Sequence, residues 1–227
     1  MSETKRRAAR RAVEYVEDGM VLGLGTGTTT RYAVEEIGRL VKEGYRLVGV
    51  PTSLETERQA RSLGIPISTL EEVKHLDVTI DGADEVDPKF QLIKGLGGAL
   101  LREKIVAYHS RQEIIIVDSS KIVEKLGVRT PLPVEVTPFS HGRTMEAMEG
   151  LGCTAALRGG ATPFVTDNGN YIYDCKFSGI DNARRLETEL DSIPGVVESG
   201  LFLGLASRVV IGTEEGVEVR ERRDQDC

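Results

Sequence analysis

Short apolar runs punctuate the first half of the chain, and segments with a polar side separate them. The runs are MVLGLG at 20–25, RLVGVP at 46–51, IPIST at 65–69, LDVTI at 76–80 and EIIIVD at 113–118. Continuously apolar stretches of this length are typical of strands that are buried on both faces of a parallel sheet. The pattern therefore predicts that these runs are strands of one mostly parallel sheet.

Between the strands, apolar residues recur at helical spacing. In residues 29–42 they stand at i, i+1, i+4, i+7 and i+8, which is one side of a helix. Ser53 has the side chain of an N-cap. We predict helices over residues 3–17, 29–42, 53–63 and 99–109. Strands that alternate with helices indicate an α/β fold, in which a mostly parallel sheet has helices on both faces.

The pattern changes near Pro131 and Pro133. The predicted elements that follow are strand 134–137, helix 142–151, strand 153–158, a hairpin over PFVTDNGNYIYD at 163–174, helix 181–192 and strand 195–199. Asn168 and Gly169 form the predicted turn of the hairpin. The order β-α-β-β-α-β indicates a smaller ferredoxin-like α+β domain.

The chain is expected to return to its first domain after the small one. Strands around 201–211 and 217–219 are predicted to join the larger sheet, and residues 220–227 are expected to be a frayed end. The predicted domains are 1–130 together with 201–227, which would be catalytic, and 131–200, which would be the small α+β domain.

Composition narrows the classes of function. The 29 basic and 36 acidic side chains of the 227 residues give a net charge of −7, which argues against a nucleic-acid surface. A small anionic substrate would need local positive charge, because the overall field would repel it. The longest apolar run, Ile114–Val117, is too short to span a bilayer. With no apolar stretch behind the charged residues 1–10, we expect a cytoplasmic protein without a membrane partner.

Cysteine and histidine show no pattern of a metal site. Cys153, Cys175 and Cys227 form no close pair along the sequence, and the three histidines have no ligand spacing. We interpret the cysteines as inert thiols in a reducing compartment. His109 stands late in an apolar helix, where a structural role is commoner than a catalytic one.

Polar loops follow three of the predicted strands. They are GLGTGTTT at 23–30, DGADE at 81–85 and DSSK at 118–121. The carboxyl ends of parallel strands lie at one edge of a sheet, and ligands bind beyond that edge. The sequence therefore predicts a single crevice that these loops share.

The first loop has the residues of a phosphate site. Glycines allow the chain to turn tightly and expose backbone amides, the helix that follows adds positive potential, and threonine hydroxyls add donors. The loop is not a dinucleotide fingerprint, because Thr28 stands where the last glycine belongs, and no lysine of a P-loop follows. A cradle for a phosphate monoester and a tight connection without a ligand both remain open.

The second loop concentrates carboxylates in VTIDGADEVD at 78–87. The spacing does not match a calcium loop, because glycine stands second and alanine third. Asp81 and Asp84 would hold a magnesium ion or the hydroxyls of a sugar, and an acidic turn without a ligand remains open as well. Glu85 and Asp87 are interpreted as solvated loop charges.

A fourth stretch, KGLGGALLREK at 94–104, combines a lysine, glycines and a glutamate. Lys94 and the exposed amides of the glycine turn are suited to hold a developing oxyanion. Glu103, in the first turns of the helix, is suited to move protons, although a surface ion pair would explain it as well. Lys121, in DSSK, is either a surface lysine or a source of positive charge for the acidic loops.

Taken together, these motifs resemble the ribose-5-phosphate isomerase family of the A type. The resemblance rests on GTGTT at 25–29, DGADE at 81–85, KGLGGALLREK at 94–104 and DSSK at 118–121, in this order and spacing. PLPVEV at 131–136, VTDNGN at 165–170 and IPGVVESGLF at 193–202 are similar to later segments of that family. The resemblance implies an aldose–ketose isomerase that interconverts D-ribose 5-phosphate and D-ribulose 5-phosphate in the pentose phosphate pathway.

The resemblance also implies a Rossmann-like main domain, no metal and no other cofactor, and a homodimer or homotetramer. Glu103 would be the proton-shuttling base. The implied substrate-binding residues are Thr26, Gly27, Thr28, Thr29, Asp81, Gly82, Ala83, Asp84, Lys94, Gly95, Leu96, Gly97 and Lys121, of which Asp81, Asp84 and Lys94 would also be catalytic. Leu96 and Leu101 depart from a common form of the motif, KGGGGALTREK. Leu96 would leave its amide available, and Leu101 would alter packing behind the helix.

Two other classes of function remain open at this point. Related folds serve as phosphosugar-sensing domains of regulators, which bind without turnover, although no helix-turn-helix unit fits before the first predicted strand here. A phosphosugar deaminase or lactonase of similar architecture would release ammonia or acid instead. Conversion of ribose 5-phosphate separates these classes from the isomerase.

Overall fold

The computed structural model describes residues 2–222. Its helices are α1 Ser2–Val13, α2 Thr30–Lys42, α3 Leu54–Ser62, α4 Leu100–Tyr108, α5 His141–Glu149 and α6 Ala183–Asp191. Its strands are β1 Val21–Leu24, β2 Val48–Pro51, β3 Val78–Gly82, β4 Glu85–Val86, β5 Leu92–Ile93, β6 Glu113–Asp118, β7 Leu132–Val136, β8 Thr154–Leu157, β9 Tyr171–Lys176, β10 Val196–Ser199, β11 Leu201–Phe202, β12 Arg208–Gly212 and β13 Val217–Glu221. A 3-10 turn, Ser119–Lys121, follows β6.

The chain divides into two compact units. The first unit contains the residues up to Ala83, Arg102–Lys121 and the residues from Gly204 onward, and the second contains Asp84–Leu101 and Ile122–Leu203. These units do not follow the boundaries at 130 and 200 that the sequence suggested. Residues 84–101 group with the second unit, where β5 pairs with both β4 and β11 in a small sheet. Residues 122–130 group there too, and the amides of Gly127, Arg129 and Thr130 donate to Glu85 of β4.

A six-stranded sheet forms the centre of the first unit, in the order β13-β12-β6-β3-β1-β2. All neighbouring strands are parallel except β12 and β13. Every residue of β6 is buried, as its apolar sequence indicated. This confirms the predicted mostly parallel sheet. The predicted strand IPIST is wrong, because the proline removes a donor and the segment makes only one bridge, between Gly49 and Ile67.

Helices cover both faces of this sheet. Leu22 and Leu24 point to one face, where they pack in a core with apolar side chains of α1 and α2. Because side chains alternate along a strand, Gly23 faces the other side. There the side chain of Val106, in α4, lies 2.7 Å from the position that a Cβ on Gly23 would take. The predicted covering of both faces is confirmed.

The predicted helical stripes are buried. Ala8, Ala9 and Ala12 of α1 have no exposed surface, and Val16 lies buried beyond the end of the helix at Val13, which is earlier than predicted. Ser53 caps α3 as predicted, since its Oγ accepts a hydrogen bond of 3.1 Å from the Thr56 amide.

Residues 220 and 221 are not frayed, so that part of the expectation for the tail is wrong. Both belong to β13, where Arg220 is paired with Val209 and Glu221 with Arg208. The Arg208 Nε also donates to the Glu221 carboxylate at 2.8 Å. This antiparallel pairing orders the strand, which is otherwise polar. The rest of the expected frayed end, residues 223–227 with Cys227, lies outside the described residues.

The second unit contains a four-stranded sheet in the order β10-β7-β9-β8, with all neighbours antiparallel. Helices α5 and α6 contribute Met148, Leu186 and Leu190 to a core with Val134 and Val136 of β7. Strand order and connections are those of a ferredoxin-like α+β unit, as predicted.

Two local predictions in this unit are wrong. The first arm of the predicted hairpin, residues 163–168, is not a strand, and β9 pairs with β8 and β7 instead. The turn itself is present, with Gly169 at φ +82°. The arm fails because the Thr166 hydroxyl donates to the buried Glu135 carboxylate at 2.9 Å rather than joining a ladder. Leu201–Phe202, expected in the large sheet, pairs with β5 in the second unit.

Folding brings two cysteines together that are far apart in sequence. Cys175 lies opposite Ala155 on the neighbouring strand, and Cys153 is two residues away from Ala155. Both thiols are buried and reduced. A hydrogen bond from the Cys175 thiol lowers the pKa of Cys153, and the same contact together with burial raises the pKa of Cys175. The expectation of no close pair therefore holds along the sequence but not in space.

Candidate active site

The glycine loop after β1 lies directly against the end of β3. The Gly25 amide donates to the Ile80 carbonyl at 3.0 Å, and the Thr26 amide donates to Asp81 Oδ1 at 3.1 Å. A Cβ on Gly25 would lie 2.2 Å from Asp81 Oδ1, so only glycine allows this approach. The structure thus brings together two of the predicted site loops, 25–29 and 81–83.

The hydroxyl of Thr26 is directed into the protein. Its Oγ1 lies 2.7 Å from Thr52 Oγ1, 2.8 Å from Ser53 Oγ and 3.2 Å from Thr56 Oγ1. Thr56 Oγ1 in turn donates to the Gly25 carbonyl at 3.0 Å. Sequence reasoning missed this cluster of hydroxyls. The signal was present in PTSLET, because it follows β2, the neighbour of β1, and so emerges at the same edge of the sheet.

A lysine outside the predicted motifs reaches the same loop. Lys5 of α1 donates from Nζ to Thr28 Oγ1 at 2.9 Å. It brings to this loop the local positive charge that an anionic substrate of an acidic protein requires. No motif marks Lys5; only the packing of α1 beside α2 places it here.

The loop then turns into α2. Gly27 has φ +128°, a conformation that favours glycine. Thr29 stands at the N-cap without a side-chain capping bond, while the Arg31 and Tyr32 amides donate to the carbonyls of Gly27 and Thr29. Thr30, the first residue of α2, is buried, and its hydroxyl has no hydrogen-bond partner within residues 2–222. A helix beginning of this kind attracts anions.

Asp81 is buried at the carboxyl end of β3. Its Oδ1 accepts hydrogen bonds from the amides of Thr26 and Gly82, at 3.1 and 2.7 Å. Gly82 and Ala83 follow it, half-buried, at the edge of the sheet. The backbone therefore holds one oxygen of this carboxylate in a fixed orientation.

Glu103 lies on the side of α4 that faces the sheet. It is one turn before Val106, which packs with Val50 and Leu76, and residues at this spacing share a helix face. The helix ends beside the amino end of β3, where Ser110 bridges to Leu76. Glu103 is therefore displaced toward the carboxyl ends of the strands, and only 4% of it is exposed. The alternative of a surface ion pair does not fit this burial.

The third predicted loop leaves β6, the strand next to β3. Asp118 Oδ1 accepts from the Ser120 amide at 3.0 Å, which holds the 3-10 turn that ends with Lys121. Lys121 is half-buried. It thus emerges at the same edge of the sheet as the loops after β1 and β3.

The second unit holds Asp84 and Lys94 at the adjoining ends of β4 and β5. The Asp84 amide donates to the Ile93 carbonyl at 2.8 Å, and the Lys94 amide donates to the Gly200 carbonyl at 2.9 Å. Lys94 is 2% exposed, and its Nζ lies 5.2 Å from the centre of the Phe202 ring. Lysines are rarely buried to this extent, so the burial of Lys94 indicates a role in the structure or in the chemistry of the site.

The glycine turn after Lys94 is folded back on itself. The Gly98 amide donates to the Gly95 carbonyl at 3.0 Å, and the Leu96 amide donates to Asp84 Oδ2 at 3.0 Å. The expectation that Leu96 leaves its amide available is therefore wrong, because Asp84 has taken it. The Gly97 amide takes part in neither bond, and Gly97 is exposed.

Two of the four crowded carboxylates have structural roles. Glu85 is buried, and its oxygens accept from the amides of Gly127, Arg129 and Thr130 at 2.6, 2.9 and 2.7 Å. The interpretation of Glu85 as a solvated charge is therefore wrong. Asp87 is half-buried and accepts from the amides that follow it in its turn. Burial raises the pKa of Asp87, while those amides oppose the shift.

Within residues 2–222, no group of three or more histidine, cysteine, aspartate or glutamate side chains is placed to hold a metal ion. No helix in this part of the chain is long and apolar enough to cross a membrane. The first unit collects Thr26–Thr29, Asp81–Ala83, Glu103 and Lys121, and the second collects Asp84, Lys94 and Gly95–Gly97.

The protein combines an amide-rich loop beside a lysine with fixed carboxylates and a buried glutamate. This combination defines an α/β enzyme that acts on a small phosphorylated polyol or sugar. The family model described as ribose 5-phosphate isomerase A (phosphoriboisomerase A) matches residues 48–216. The chain belongs to this family. It is an aldose–ketose isomerase.

Curated relatives and solved structures of this family are similar to the chain over nearly its whole length. Ribose-5-phosphate isomerase A of Gloeobacter violaceus is 56% identical over 95% of this chain and 94% of its own, and that of Thermococcus kodakarensis is 46% identical over 98% and 99%. The structure of ribose 5-phosphate isomerase from Plasmodium falciparum superposes with a TM-score of 0.95, at 39% identity over 98% of this chain and 100% of that one. A D-ribose-5-phosphate isomerase in complex with phospho-erythronic acid has a TM-score of 0.94, at 44% identity over 97% and 98%.

Proposed function

We propose that this chain interconverts D-ribose 5-phosphate and D-ribulose 5-phosphate by moving a proton between C2 and C1 of the open-chain sugar, with Glu103 as the base. The observation that carries the assignment is the burial of Glu103 on the sheet-facing side of α4, toward the carboxyl ends of β1, β3 and β6. A carboxylate in such a place is shielded from water and can serve as a general base.

The chemistry needs one base and one place for negative charge. In the aldose, the Glu103 carboxylate takes the proton from C2, the C1–C2 double bond forms, and the carbonyl electrons move to O1 as an enediolate. Glu103 then returns the proton to C1, while the proton of the C2 hydroxyl passes to O1 and leaves C2 as the ketone. The atoms balance without a redox partner.

Positive charge and amides would stabilise the enediolate. Lys94 would supply positive charge from a buried side chain, on a backbone held by the bond to Gly200. The Gly97 amide adds a donor. Asp81 and Asp84 would orient sugar hydroxyls and help the furanose ring to open. The solved relative that binds phospho-erythronic acid supports this, because that acid carries a carboxylate where an enediolate carries charge.

The phosphate would bind at the start of α2. Gly27, Thr28 and Thr29 offer amides and hydroxyls there, and Lys5 adds a charge beside Thr28. The hydroxyl of Thr26 would not bind the substrate as first expected, because it is hydrogen-bonded to Thr52 and Ser53. It would hold the loop in shape, since its amide is engaged as well, with Asp81. Lys121 would contribute charge at the same edge.

The test is to measure the conversion of ribose 5-phosphate directly. The product, ribulose 5-phosphate, is detected in a coupled assay and by proton NMR in D₂O. Proton transfer through a carboxylate allows some exchange, so deuterium is expected at C1 of the product. Binding of ribose 5-phosphate without turnover would instead identify a sensing domain, and release of ammonia or acid a deaminase or lactonase. Activity is expected to survive a strong chelator; restoration by Mg²⁺ after loss would revive a metal on Asp81 and Asp84.

Assembly and location complete the proposal. We infer a homodimer or homotetramer in the cytoplasm, on the basis of the family resemblance and of the cysteines that remain thiols. Size-exclusion chromatography with light scattering measures the mass of the assembly. A monomer at micromolar concentration would contradict the inferred homodimer or homotetramer.

A further inference from the structure

The glycine turn that follows Lys94 is held by an arginine from β8's end that no motif marks. Arg158 donates from Nη1 to the carbonyls of Gly95 and Leu96, at 3.0 and 3.2 Å. Its Nε donates to Asp174 Oδ2 at 3.0 Å, and its Nη2 donates to Asp174 Oδ1 at 2.5 Å. One guanidinium thus makes four hydrogen bonds, two to a carboxylate on the next strand and two to the turn.

The geometry of the peptide bond converts these contacts into an orientation of the amides. In a trans peptide the C=O and N–H groups point in opposite directions. The Gly95 carbonyl is bound to Arg158, and the Leu96 amide of the same peptide group is bound to Asp84 Oδ2. The Leu96 carbonyl is also bound to Arg158, so the Gly97 amide points away from the guanidinium. Arg158 therefore aims two successive amides away from itself, and the first of them meets Asp84.

Packing holds the Arg158 side chain against the glycine turn. Only 16% of its side chain is exposed, and its guanidinium lies 5.9 Å from the centre of the Phe164 ring. The Phe164 amide donates to the Arg158 carbonyl at 2.8 Å, which closes the loop between the two residues. The same ring lies over Gly98, since a Cβ there would be 2.5 Å from it. The segment 158–164 thus covers the turn on the side opposite to the directed amides.

We propose that Arg158 is a positioning residue of the isomerase reaction, which directs the Leu96 amide onto Asp84 and sets the Gly97 amide and the path of the chain after Lys94 for binding of the enediolate. The inference rests on the proposed function. A lysine does not replace Arg158, because a single ammonium lacks the planar fork that serves Asp174 and both carbonyls at once. Arg158 does not touch the substrate; it acts through the turn.

The test compares Arg158→Gln and Arg158→Lys with a matched control, Arg208→Gln. Arg208 also pairs with a carboxylate on the neighbouring strand, at 2.8 Å from Glu221, is 23% exposed, and lies 4.7 Å from the centre of an aromatic ring, that of Tyr15. It is the first residue of β12, where it pairs with Ile114 at the amino end of β6, whereas the proposed site loops follow the carboxyl ends of β1, β3 and β6. If the ion pair of Arg158 had only a structural role, Arg158→Gln and Arg208→Gln should therefore change the kinetics to the same extent.

We expect kcat of both Arg158 variants to fall on the order of 10- to 100-fold, since small displacements of catalytic groups have effects of this size, with KM for ribose 5-phosphate changed less than about threefold. Phospho-erythronic acid should bind more weakly by a factor close to the loss in kcat/KM, because a ligand that resembles the intermediate responds to the same donors. Arg208→Gln should leave all three quantities within about twofold of the original protein.

Chemical rescue adds a readout that folding does not mimic. In Arg158→Gly, free guanidinium at a concentration well below the denaturing range should restore part of kcat, and an equal concentration of sodium chloride should not. If Arg158→Gln does not fold, Arg158→Lys, which keeps a cation and much of the volume, decides with the same measurements. Arg158 variants that match Arg208→Gln in kcat and in affinity for phospho-erythronic acid would overturn the inference. A parent protein that converts no ribose 5-phosphate would instead overturn the proposed function.

Discussion

The backbone amide of Thr26 donates a hydrogen bond to Oδ1 of Asp81 over 3.1 Å. This bond joins the loop proposed for phosphate to the carboxylate proposed for sugar hydroxyls. Asp81 thus has two tasks, because one of its oxygens already orders the glycine loop. A change of Asp81 should disturb both ends of the substrate.

Asp81→Asn is expected to raise KM for ribose 5-phosphate and to lower kcat together, each by about tenfold or more, because its amide group replaces a charged acceptor of two backbone donors. Steady-state kinetics over a range of substrate concentrations measures both. Inhibition by inorganic phosphate should weaken in parallel. A loss confined to kcat would show that the bond to Thr26 does not order the phosphate loop.

Glu103→Gln is expected to lower kcat by at least about 10²-fold with a modest change in KM, because the amide has the shape of the carboxylate but does not accept the proton. Glu36→Gln is the control: Glu36 is a partly buried helical glutamate, held by Arg10 and Arg39, and its change should leave kcat as it is. Near-normal turnover of the Glu103 variant would remove this residue from the mechanism.

Thr26 and Thr28 should respond differently to the same substitution. Thr26→Val removes a hydroxyl that bonds inside the protein to Thr52 and Ser53, and we expect it to lower the free energy of unfolding by about 1–3 kcal/mol. Thr28→Val removes an exposed hydroxyl bound to Lys5, and we expect a raised KM with stability nearly unchanged. Urea unfolding and kinetics on both variants give the comparison. Equal stabilities would contradict the internal role of Thr26.

Glu85→Gln tests the structural reading of the buried carboxylate. Three backbone amides point at its two oxygens, so an amide group presents a donor to a donor at one of them. We expect a loss of about 2–3 kcal/mol in the free energy of unfolding, within the range for hydrogen bonds to charged groups. Asp87→Asn, in a more open turn, should cost less. Turnover by the folded fraction of Glu85→Gln should stay close to normal, since Glu85 contacts no proposed site residue through these bonds.

Gly98→Ala separates backbone strain from a collision. Gly98 has φ +82°, and its Cβ would meet the Phe164 ring at 2.5 Å, whereas Gly152 has φ +93° with nothing within 4 Å of its Cβ. Both alanine variants should lose about 1 kcal/mol or somewhat more from strain at positive φ. Only Gly98→Ala should also lower kcat, because Phe164 must move and the turn with it. Combining Gly98→Ala with Phe164→Leu should recover part of that loss.

Much of the fold was readable from the sequence, because it depends on local periodicity. The stripe of α2, the unbroken apolar character of β6 and the β-α-β-β-α-β order each follow from residues close together in the chain. The order of the site motifs was readable too, because each follows a strand and parallel strands share an edge. The elements that failed, IPIST and the arm before Asn168, are short and contain a proline, so that the available pairing partners decide whether they form strands.

The partners of polar groups came only from the tertiary structure. The sequence by itself determined which side chains could donate, accept or carry charge, and near which strand end they stand. It could not tell that Glu85 is buried under three amides, that Leu96 gives its amide to Asp84, or that Lys5 and Arg158 reach loops far away in the chain. A hydrogen bond requires two groups to meet within about 3 Å in a set direction. Only the packing of helices and strands decides which distant groups do so.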